Sequence, residues 1–416
     1  MSAAKSFLEN VVFAGLSAAS NGLAFILIIV AARILSTDDM GVLHTALAFA
    51  AIGEPLMDFG LHQASIRQIA RDRSSAQSVL ANSIPMKALS GASMFAGLSI
   101  IAIVWYPAAA PAALLMLVSA AIRSYLLTIR GVLQGLEHFR HDAAVMFADR
   151  AFMLGGGVAA LMLGGGVRGL ALSFVITRAM ALIVALALTR LHVDEITVSF
   201  DTGIWRELRN AAVPLGAFLL VLTAYNYLDQ LLLWKMSSEW DVGVYGTVYK
   251  IYEALTYGSG ILASVLTPRF AALWTSDRPA HQRLAVQGVG GAALLGLAVG
   301  AVAWVAAPFA IGLLFAPEYL EGVKALRILS AGLVLVFAIW ILHAIAMSVF
   351  NARLLLQTTL VSLVVNVGLN LWLIPTWHRD GAAMATVGGE AVALAMLVWG
   401  LRRVLFGAAT PTNATE

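Results

Sequence analysis

Apolar runs long enough to cross a bilayer recur from one end of the chain to the other. A membrane-spanning helix needs about 20 consecutive apolar residues, and 60% of the 416 residues are hydrophobic. Only 12% are charged, against about 25% in a typical soluble domain. The pattern predicts an all-α polytopic membrane protein of about twelve transmembrane helices, in two six-helix bundles around a central cavity. The predicted spans are 11–34, 41–66, 82–106, 111–132, 141–163, 167–190, 208–234, 241–267, 284–308, 323–349, 355–374 and 381–405.

Positively charged residues between the runs set the orientation. With the N-terminus inside, sixteen Lys and Arg fall in inside segments and six in outside segments. Cytoplasmic loops carry such an excess, so we expect a bacterial inner-membrane protein with both termini in the cytoplasm. The first run is span-length and lacks a small-residue cleavage site, so we expect a true helix there. The six outside residues are Arg33, Arg168, Lys235, Lys324, Arg327 and Arg379.

A polar loop after the sixth span divides the chain into two halves. The predicted organisation is an N-terminal six-helix half at 1–190, a cytoplasmic connecting loop at 191–207, a C-terminal half at 208–406 and a disordered cytoplasmic tail at 407–416.

A weak internal repeat supports the two halves. The segment from Arg33 to Gly41 (RILSTDDMG) aligns with the segment from Lys235 to Gly243 (KMSSEWDVG), and both follow the first span of their half. Repeats of this kind suit a transporter whose halves rock about a binding site. The alternative is that short hairpin turns converge on Asp and Gly by chance.

Ionisable residues inside spans are the strongest functional signal, because each costs about 2.5–3.5 kcal/mol on insertion scales. In span 2, Glu54, Asp58 and His62 recur every four residues and share one helical stripe. Pro55 predicts a local kink. The stripe is either an acidic face on the cavity that binds a proton or a cation, or a set of ion pairs with Arg or Lys on a neighbouring helix.

Deep arginines form a second signal. Arg123 lies in span 4 and Arg178 in span 6, while span 5 carries Asp149 and Arg150. Guanidinium groups facing a cavity bind an anionic group such as a pyrophosphate in bidentate fashion. The alternative is an interhelical ion pair, for example with Asp58 or Asp149.

Spans 7 and 8 carry a third polar group. Lys250 and Glu253 are three residues apart and can pair directly, and Tyr249, Glu253 and Tyr257 form a stripe that predicts cavity lining. Span 7 adds a similar cluster of Tyr225, Asn226 and Asp229.

Motifs for other chemistry are missing from the sequence. It contains no cysteine, HExxH, GxSxG, Walker loop or metal-spaced His cluster. The net charge of +3 gives no reason to expect a nucleic-acid partner. We therefore expect no enzyme activity, no cofactor and no metal site. Energy would come from H⁺ or Na⁺ coupling, from the membrane potential or from downhill substrate flow, and the candidate coupling carboxylates are Asp58, Glu54, Asp229 and Glu253.

Short motifs along nearly the whole chain resemble one family. The chain is similar to the Wzx-type flippases of the polysaccharide transporter family, in the MOP superfamily that also holds multidrug (MATE) exporters and the lipid II flippase. The motifs that carry the resemblance are Ala32–Gly41, Asp58-Phe59-Gly60-Leu61, Val213-Pro214, Asp229, Asp241–Tyr245, Leu314–Tyr319, Leu326–Leu329, Asn366, Asn370, Leu373–Pro375 and Gly381–Ala383.

This resemblance implies export of an undecaprenyl-diphosphate-linked oligosaccharide, such as an O-antigen, capsule or exopolysaccharide repeat unit, across the inner membrane. It supports Lys250 and Arg67 as cavity cations. Membrane lipid, a polysaccharide polymerase and glycosyltransferases are the expected partners, and we expect a monomer. The combined substrate-binding candidates are Arg123, Arg178, Lys250, Arg67, Tyr249 and Tyr225.

Two other functions compete with the flippase. A MATE-like cation-coupled antiporter for drugs or small molecules has a related fold, but its cationic substrates favour an acidic cavity, whereas the deep groups here are mixed. A membrane glycan polymerase or ligase usually has a large outer loop, and the predicted outer loops are of hairpin size. The short loops also leave little surface for recognising a sugar.

The charge bias makes topology directly testable. Reporter fusions at inside positions should give a cytoplasmic signal and those at outside positions a periplasmic one. A periplasmic signal at residue 200 would contradict the two-half organisation. The inside positions are Ser74, Phe200 and Asp277, and the outside positions are Ala109 and Pro317.

Overall fold

The structure, a computed structural model, describes residues 22–193, 197–349 and 351–407. The described residues form helices joined by turns, with no strand among them. Residues 11–21 of the first predicted span and the tail after residue 407 lie outside this part of the chain. The helices are α1 (Gly22–Ile34), α2 (Thr37–Asp58), α3 (Leu61–Arg71), α4 (Ala76–Trp105), α5 (Ala110–Gly135), α6 (Phe139–Met162), α7 (Gly166–Thr189), α8 (Thr202–Met236), α9 (Glu239–Ser276), α10 (Arg278–Leu314), α11 (Val323–Ser348), α12 (Ala352–Gly400) and α13 (Arg402–Phe406).

Hydropathy located most of the helices, with two exceptions described below. In the described part of the chain, nine helices are long and apolar enough to cross a membrane. The shorter α1 is the described part of the first predicted span. The eighth predicted span is α9, which is long enough but is not among the nine. The all-α polytopic prediction is confirmed.

The second predicted span, 41–66, is wrong as a single helix. The helix α2 continues through Pro55 and ends at Asp58, and α3 begins at Leu61. Between them Phe59 (φ 46°) and Gly60 (φ 80°) both adopt the left-handed conformation. A side chain at Gly60 is excluded, because its Cβ would lie 2.4 Å from the carbonyl oxygen of Ala212 on α8. The break is therefore set by close backbone contact with α8, and Pro55 is not its position.

The last two predicted spans appear as one long helix with a sharp bend. Within α12, His378 has φ 48° and ψ −127°, which no helix allows. The two arms on either side coincide with the predicted spans 355–374 and 381–405. Polar contacts fix the bend: His378 Nδ1 lies 2.8 Å from Ser237 Oγ, and Arg379 Nη1 donates to Asp241 Oδ1 at 2.7 Å.

The chain divides into two compact units, Met1–Leu231 and Leu232–Glu416. In the first unit α5 packs against α2, α3, α4, α6 and α7. In the second unit α11 packs against α9, α10 and α12. The division lies near the end of α8, and the predicted boundary at the 191–207 loop stays a prediction.

The aligned repeat segments adopt the same local structure. Ser36 caps α2 and accepts a hydrogen bond from the backbone N–H of Asp39 at 3.1 Å. Ser238 caps α9 and accepts one from Asp241, also at 3.1 Å. Each segment is thus an N-cap serine with an acid three residues later, an arrangement that stabilises the first helical turn.

The helix break at Gly60 can be tested by adding one methyl group. Gly60→Ala should lower the melting temperature of the detergent-solubilised protein, because a left-handed Ala costs about 1–2 kcal/mol before the clash with Ala212 is counted. The matched control is Gly97→Ala in α4, where nothing lies within 4 Å of the added Cβ. This control should melt at or above the wild-type temperature. Equal melting of the Gly60 variant and wild type would contradict the break.

Candidate functional site

Four charged residues of opposite sign alternate across four helices of the first unit. They are Glu54 on α2, Arg123 on α5, Asp149 on α6 and Arg178 on α7, and we call them the charge chain. Because α5 packs against the other three helices, Arg123 can reach acids on two sides. From the sequence, an ion pair with Asp149 was one of two interpretations of the deep arginines. That Glu54 joins them in one chain was not predicted.

Distances within the charge chain are those of ion pairs. Arg123 Nε lies 2.5 Å from Glu54 Oε2, and Arg123 Nη1 lies 3.3 Å from Asp149 Oδ2. On its other oxygen Asp149 is 3.2 Å from Arg178 Nε. One carboxylate is therefore shared by two guanidinium groups. The formal charges of the four residues sum to zero, as a low-dielectric site requires.

One end of the charge chain is more exposed than the other. The side chains of Glu54 and Arg123 are 26% and 21% exposed, whereas those of Asp149 and Arg178 are 5% and 9% exposed. The Nη1 atom of Arg178 is buried and makes no hydrogen bond to the described residues. Arg123 is thus the accessible cation, and Arg178 holds Asp149 in place with donor capacity left over.

A second ion pair joins α4 to α2 and was missed in the sequence. Lys87 Nζ lies 2.5 Å from Asp58 Oδ1 and donates to the carbonyl oxygen of Ser124 at 2.6 Å. The other Asp58 oxygen accepts from the backbone N–H of His62 in the first turn of α3. Both side chains are buried. Lys87 lies inside the predicted span 82–106, and that position was the signal that could have identified it.

These contacts favour the ion-pair interpretation of the span 2 stripe. Glu54 faces Arg123, and Asp58 faces Lys87, each on a neighbouring helix. His62 lies beyond the helix break, in α3. The coupling roles of Glu54 and Asp58 stay predictions.

Nearer the end of α5, Arg130 forms a bidentate pair with Asp142. Arg130 Nε and Nη2 lie 2.6 and 3.2 Å from the two carboxylate oxygens, and Gln134 donates to the same group at 2.9 Å. This pair is fully satisfied and stays apart from the charge chain. Arg67, the candidate implied by the family resemblance, lies exposed on α3.

In α8, Tyr225 is half-buried and Asp229 is buried. Asp229 Oδ1 accepts from the backbone N–H of Gln230 at 2.8 Å. Their predicted roles in substrate binding and ion coupling remain predictions.

The second unit carries a smaller polar group on α9. Lys250 Nζ lies 2.7 Å from Glu253 Oε2, as the spacing predicted, and the side chains are 16% and 30% exposed. Tyr249 is buried, whereas Tyr257 is exposed. The pair is accessible, as Arg123 and Glu54 are in the first unit.

Two other tyrosines of α9 are buried against the second arm of α12. Tyr245 Oη lies 3.2 Å from Thr386 Oγ1. Tyr252 Oη donates to Glu390 Oε1, while Glu390 Oε2 lies against the backbone at Gly332. Tyr245 and Tyr252 therefore join α9 to α12. The predicted cavity-lining stripe consists of other residues of α9, namely Tyr249, Glu253 and Tyr257.

Three histidines meet where α5, α6 and α7 end or begin. His138, His141 and His192 bring one ring nitrogen each to within 4.8 Å of the others. His192 Nε2 lies 2.9 Å from His141 Nδ1, 51 positions away in sequence. Partial burial, followed by the neighbouring rings of His138 and His141, lowers the pKa of His192 below its ordinary value. No local pattern in the sequence joins the three residues, because His192 lies 51 positions after His141.

Solved structures share this fold at low sequence identity. An inward-facing multidrug resistance MATE family transporter of the MOP superfamily matches with a TM-score of 0.77 and 18% identity, covering 94% of this chain and 96% of that one. The lipid II flippase MurJ matches at 0.74 and 11%, covering 94% and 87%. A MOP superfamily transporter from Pyrococcus furiosus matches at 0.62 and 18%, covering 94% and 93%.

Sequence comparison gives the family. A search of curated proteins finds no match. Residues 7–274, more than half of the chain, match the family described as "Polysaccharide biosynthesis protein". With the helical architecture and the structural similarities, this match means that the chain belongs to the polysaccharide biosynthesis protein family and has the fold of the MOP superfamily transporters.

Proposed function

We propose that this protein is a flippase that moves an undecaprenyl-diphosphate-linked oligosaccharide from the cytoplasmic to the periplasmic leaflet by alternating access. Membership in a polysaccharide biosynthesis family carries this proposal. A fold shared with a lipid II flippase supports it. Glycosyltransferases would supply the substrate and a polymerase would consume the product. We place the protein in the inner membrane with both termini in the cytoplasm.

Two accessible cations are the proposed ligands of the diphosphate. Arg123 and Lys250 are each partly exposed and each held by a partly exposed carboxylate, Glu54 or Glu253. A diphosphate carries more negative charge than one carboxylate, so it can displace the acid from either cation. Arg178 is then a positioning residue, because it keeps Asp149 in contact with Arg123.

This exchange also gives a route to ion coupling. A carboxylate that loses its cationic partner in a partly dry site favours binding of H⁺ or Na⁺. Glu54 and Glu253 are the carboxylates that diphosphate binding would release. The ion would drive the cycle only if it binds the two conformations with different affinity.

A MATE-like antiporter of cationic compounds is the second candidate. The MATE transporters that share the fold favour it. The mixed charge of the chain Glu54–Arg123–Asp149–Arg178 argues against it, because cationic substrates favour a site with excess negative charge. Proteoliposomes that move a cationic dye and leave a diphosphate-linked glycolipid in place would establish the antiporter and reject the flippase.

Removing Arg123 together with its acid tests the substrate role separately from folding. In Glu54→Gln/Arg123→Gln the remaining Asp149 and Arg178 still balance each other. The variant should reach the membrane at wild-type abundance, while flipping of an undecaprenyl-diphosphate-linked sugar in proteoliposomes falls by at least about tenfold, the loss of one charge-assisted hydrogen bond.

The matched control is Arg130→Gln/Asp142→Asn, which removes another Arg–carboxylate pair of the same unit. It should retain flipping when compared at equal amounts of folded protein. Wild-type flipping by the Glu54/Arg123 variant would show that this pair serves only to join helices.

The buried pair of Lys87 and Asp58 should behave differently, as a structural pair. Asp58→Asn leaves the Lys87 ammonium buried without its counter-charge, which costs about 3–5 kcal/mol in comparable buried pairs. We expect low abundance and a lower melting temperature. Asp58→Asn/Lys87→Met should recover both, since no charge is then left unpaired.

Flipping by that double variant also decides the coupling role. If it responds to an imposed proton or sodium gradient as wild type does, Asp58 is structural. A stable double variant that has lost gradient dependence would instead identify Asp58 as the coupling group.

A further inference from the structure

The histidine group described above lies at one end of the first unit. His138 immediately precedes α6, His141 is in its first turn, and His192 follows α7. The ring of His192 stacks on that of His138 with centroids 3.6 Å apart and lies 4.9 Å from that of His141. All three side chains are half-buried.

Backbone turns hold His138 and His192 in place. The N–H of His138 bonds to the carbonyl of Leu133 at 2.8 Å, across Glu137 in the left-handed conformation (φ 64°), which closes the C-terminus of α5. The N–H of His192 bonds to the carbonyl of Thr189 at 2.9 Å, and the next residue, Val193, is buried in the core. The group is therefore built from two anchored turns.

Neighbouring acids do not neutralise these imidazoles. Glu137 pairs with Arg73, and Asp142 pairs with Arg130 and Gln134. Neither acid therefore occupies a ring nitrogen of the group. Imidazole nitrogen is a common ligand of transition metal ions.

We infer that His138, His141 and His192 form a site for a divalent transition metal ion of the zinc class. Nitrogen ligands at about 2.0–2.1 Å from Zn²⁺ stand about 3.3 Å apart in tetrahedral geometry. One pair of ring nitrogens lies 2.9 Å apart, and one nitrogen from each of the three rings lies within 4.8 Å of the others. Binding one ion therefore requires the rings to rotate so that the stack of His192 on His138 opens. Neutral imidazole selects Zn²⁺, Cu²⁺, Ni²⁺ or Co²⁺ over Mg²⁺ and Ca²⁺.

A bound ion would act as a clamp. It would tie the α5–α6 turn to the end of α7, where the chain leaves for the loop that precedes α8. This role is separate from the charge chain and goes beyond the proposed flipping activity. It adds a metal requirement for stability on the side predicted to be cytoplasmic.

Metal binding by the full-length protein tests the site directly. Protein purified in detergent through a tag without histidine, stripped with EDTA and dialysed against Zn²⁺ should retain one Zn²⁺ per chain. His192→Phe keeps a ring that can stack on His138 but removes both nitrogens, so it should bind Zn²⁺ at least about tenfold more weakly. Zn²⁺ should raise the melting temperature of wild type but not of this variant.

The matched control is His343→Phe on α11, which removes one imidazole outside the group. It should bind and respond to Zn²⁺ as wild type does. Co²⁺-loaded wild type should show the visible absorption bands of a tetrahedral nitrogen site, a measurement that needs no variant. Wild type that binds no stoichiometric Zn²⁺, or His192→Phe that binds as tightly as wild type, would overturn the inference.

Discussion

A charged group inside a membrane protein is tolerated where an opposite charge, a hydrogen-bonding partner or water lies in contact with it. The first unit meets this requirement with helices grouped around α5. Arg123 on α5 contacts Glu54 and Asp149, and Lys87 contacts both Asp58 and a carbonyl of α5. Removing one member of a buried pair strands the other at a cost of several kcal/mol. The positions of α2, α4, α6 and α7 around α5 are therefore tied to the charges that these helices carry.

The helix break at Phe59–Gly60 shows how charge and backbone geometry combine. Ending α2 at Asp58 leaves that carboxylate free to bond both to Lys87 and to the first turn of α3. The same break lets the backbone of α8 approach closely, since Gly216 on α8 lies against the carbonyl of Phe59. A continuous helix through this point would satisfy neither contact. The ion pair and the glycines thus support one local arrangement.

The ion pairs around α5 and the break at Phe59–Gly60 show what could not be predicted from the sequence. Hydropathy located the spans because a bilayer requires long apolar helices whatever their partners. Four-residue spacing placed Glu54, Asp58 and His62 on one stripe, but His62 lies beyond the break and belongs to α3. The break depends on Ala212, more than 140 residues later, and no local pattern in the second span reports it. Long-range partners also explain why Lys87 and the histidine group were missed, although the pairing of Lys250 with Glu253 was local and was predicted correctly.

The structure shows a feature shared by the two halves of the internal repeat, and it also shows a difference between them. Helices α2 and α9 both begin after a serine cap, Ser36 and Ser238 respectively. Helices α5 and α11 are the central helices of their units. The central helices nevertheless differ in chemistry. Helix α5 carries Arg123 and Arg130, whereas α11 has no Asp, Glu, Lys or Arg after Arg327 and packs through apolar side chains. A packed apolar helix has no alternative partners to exchange, whereas a chain of ion pairs can be rearranged by an incoming anion. Of the two central helices, α5 is therefore the one whose contacts a bound diphosphate would rearrange.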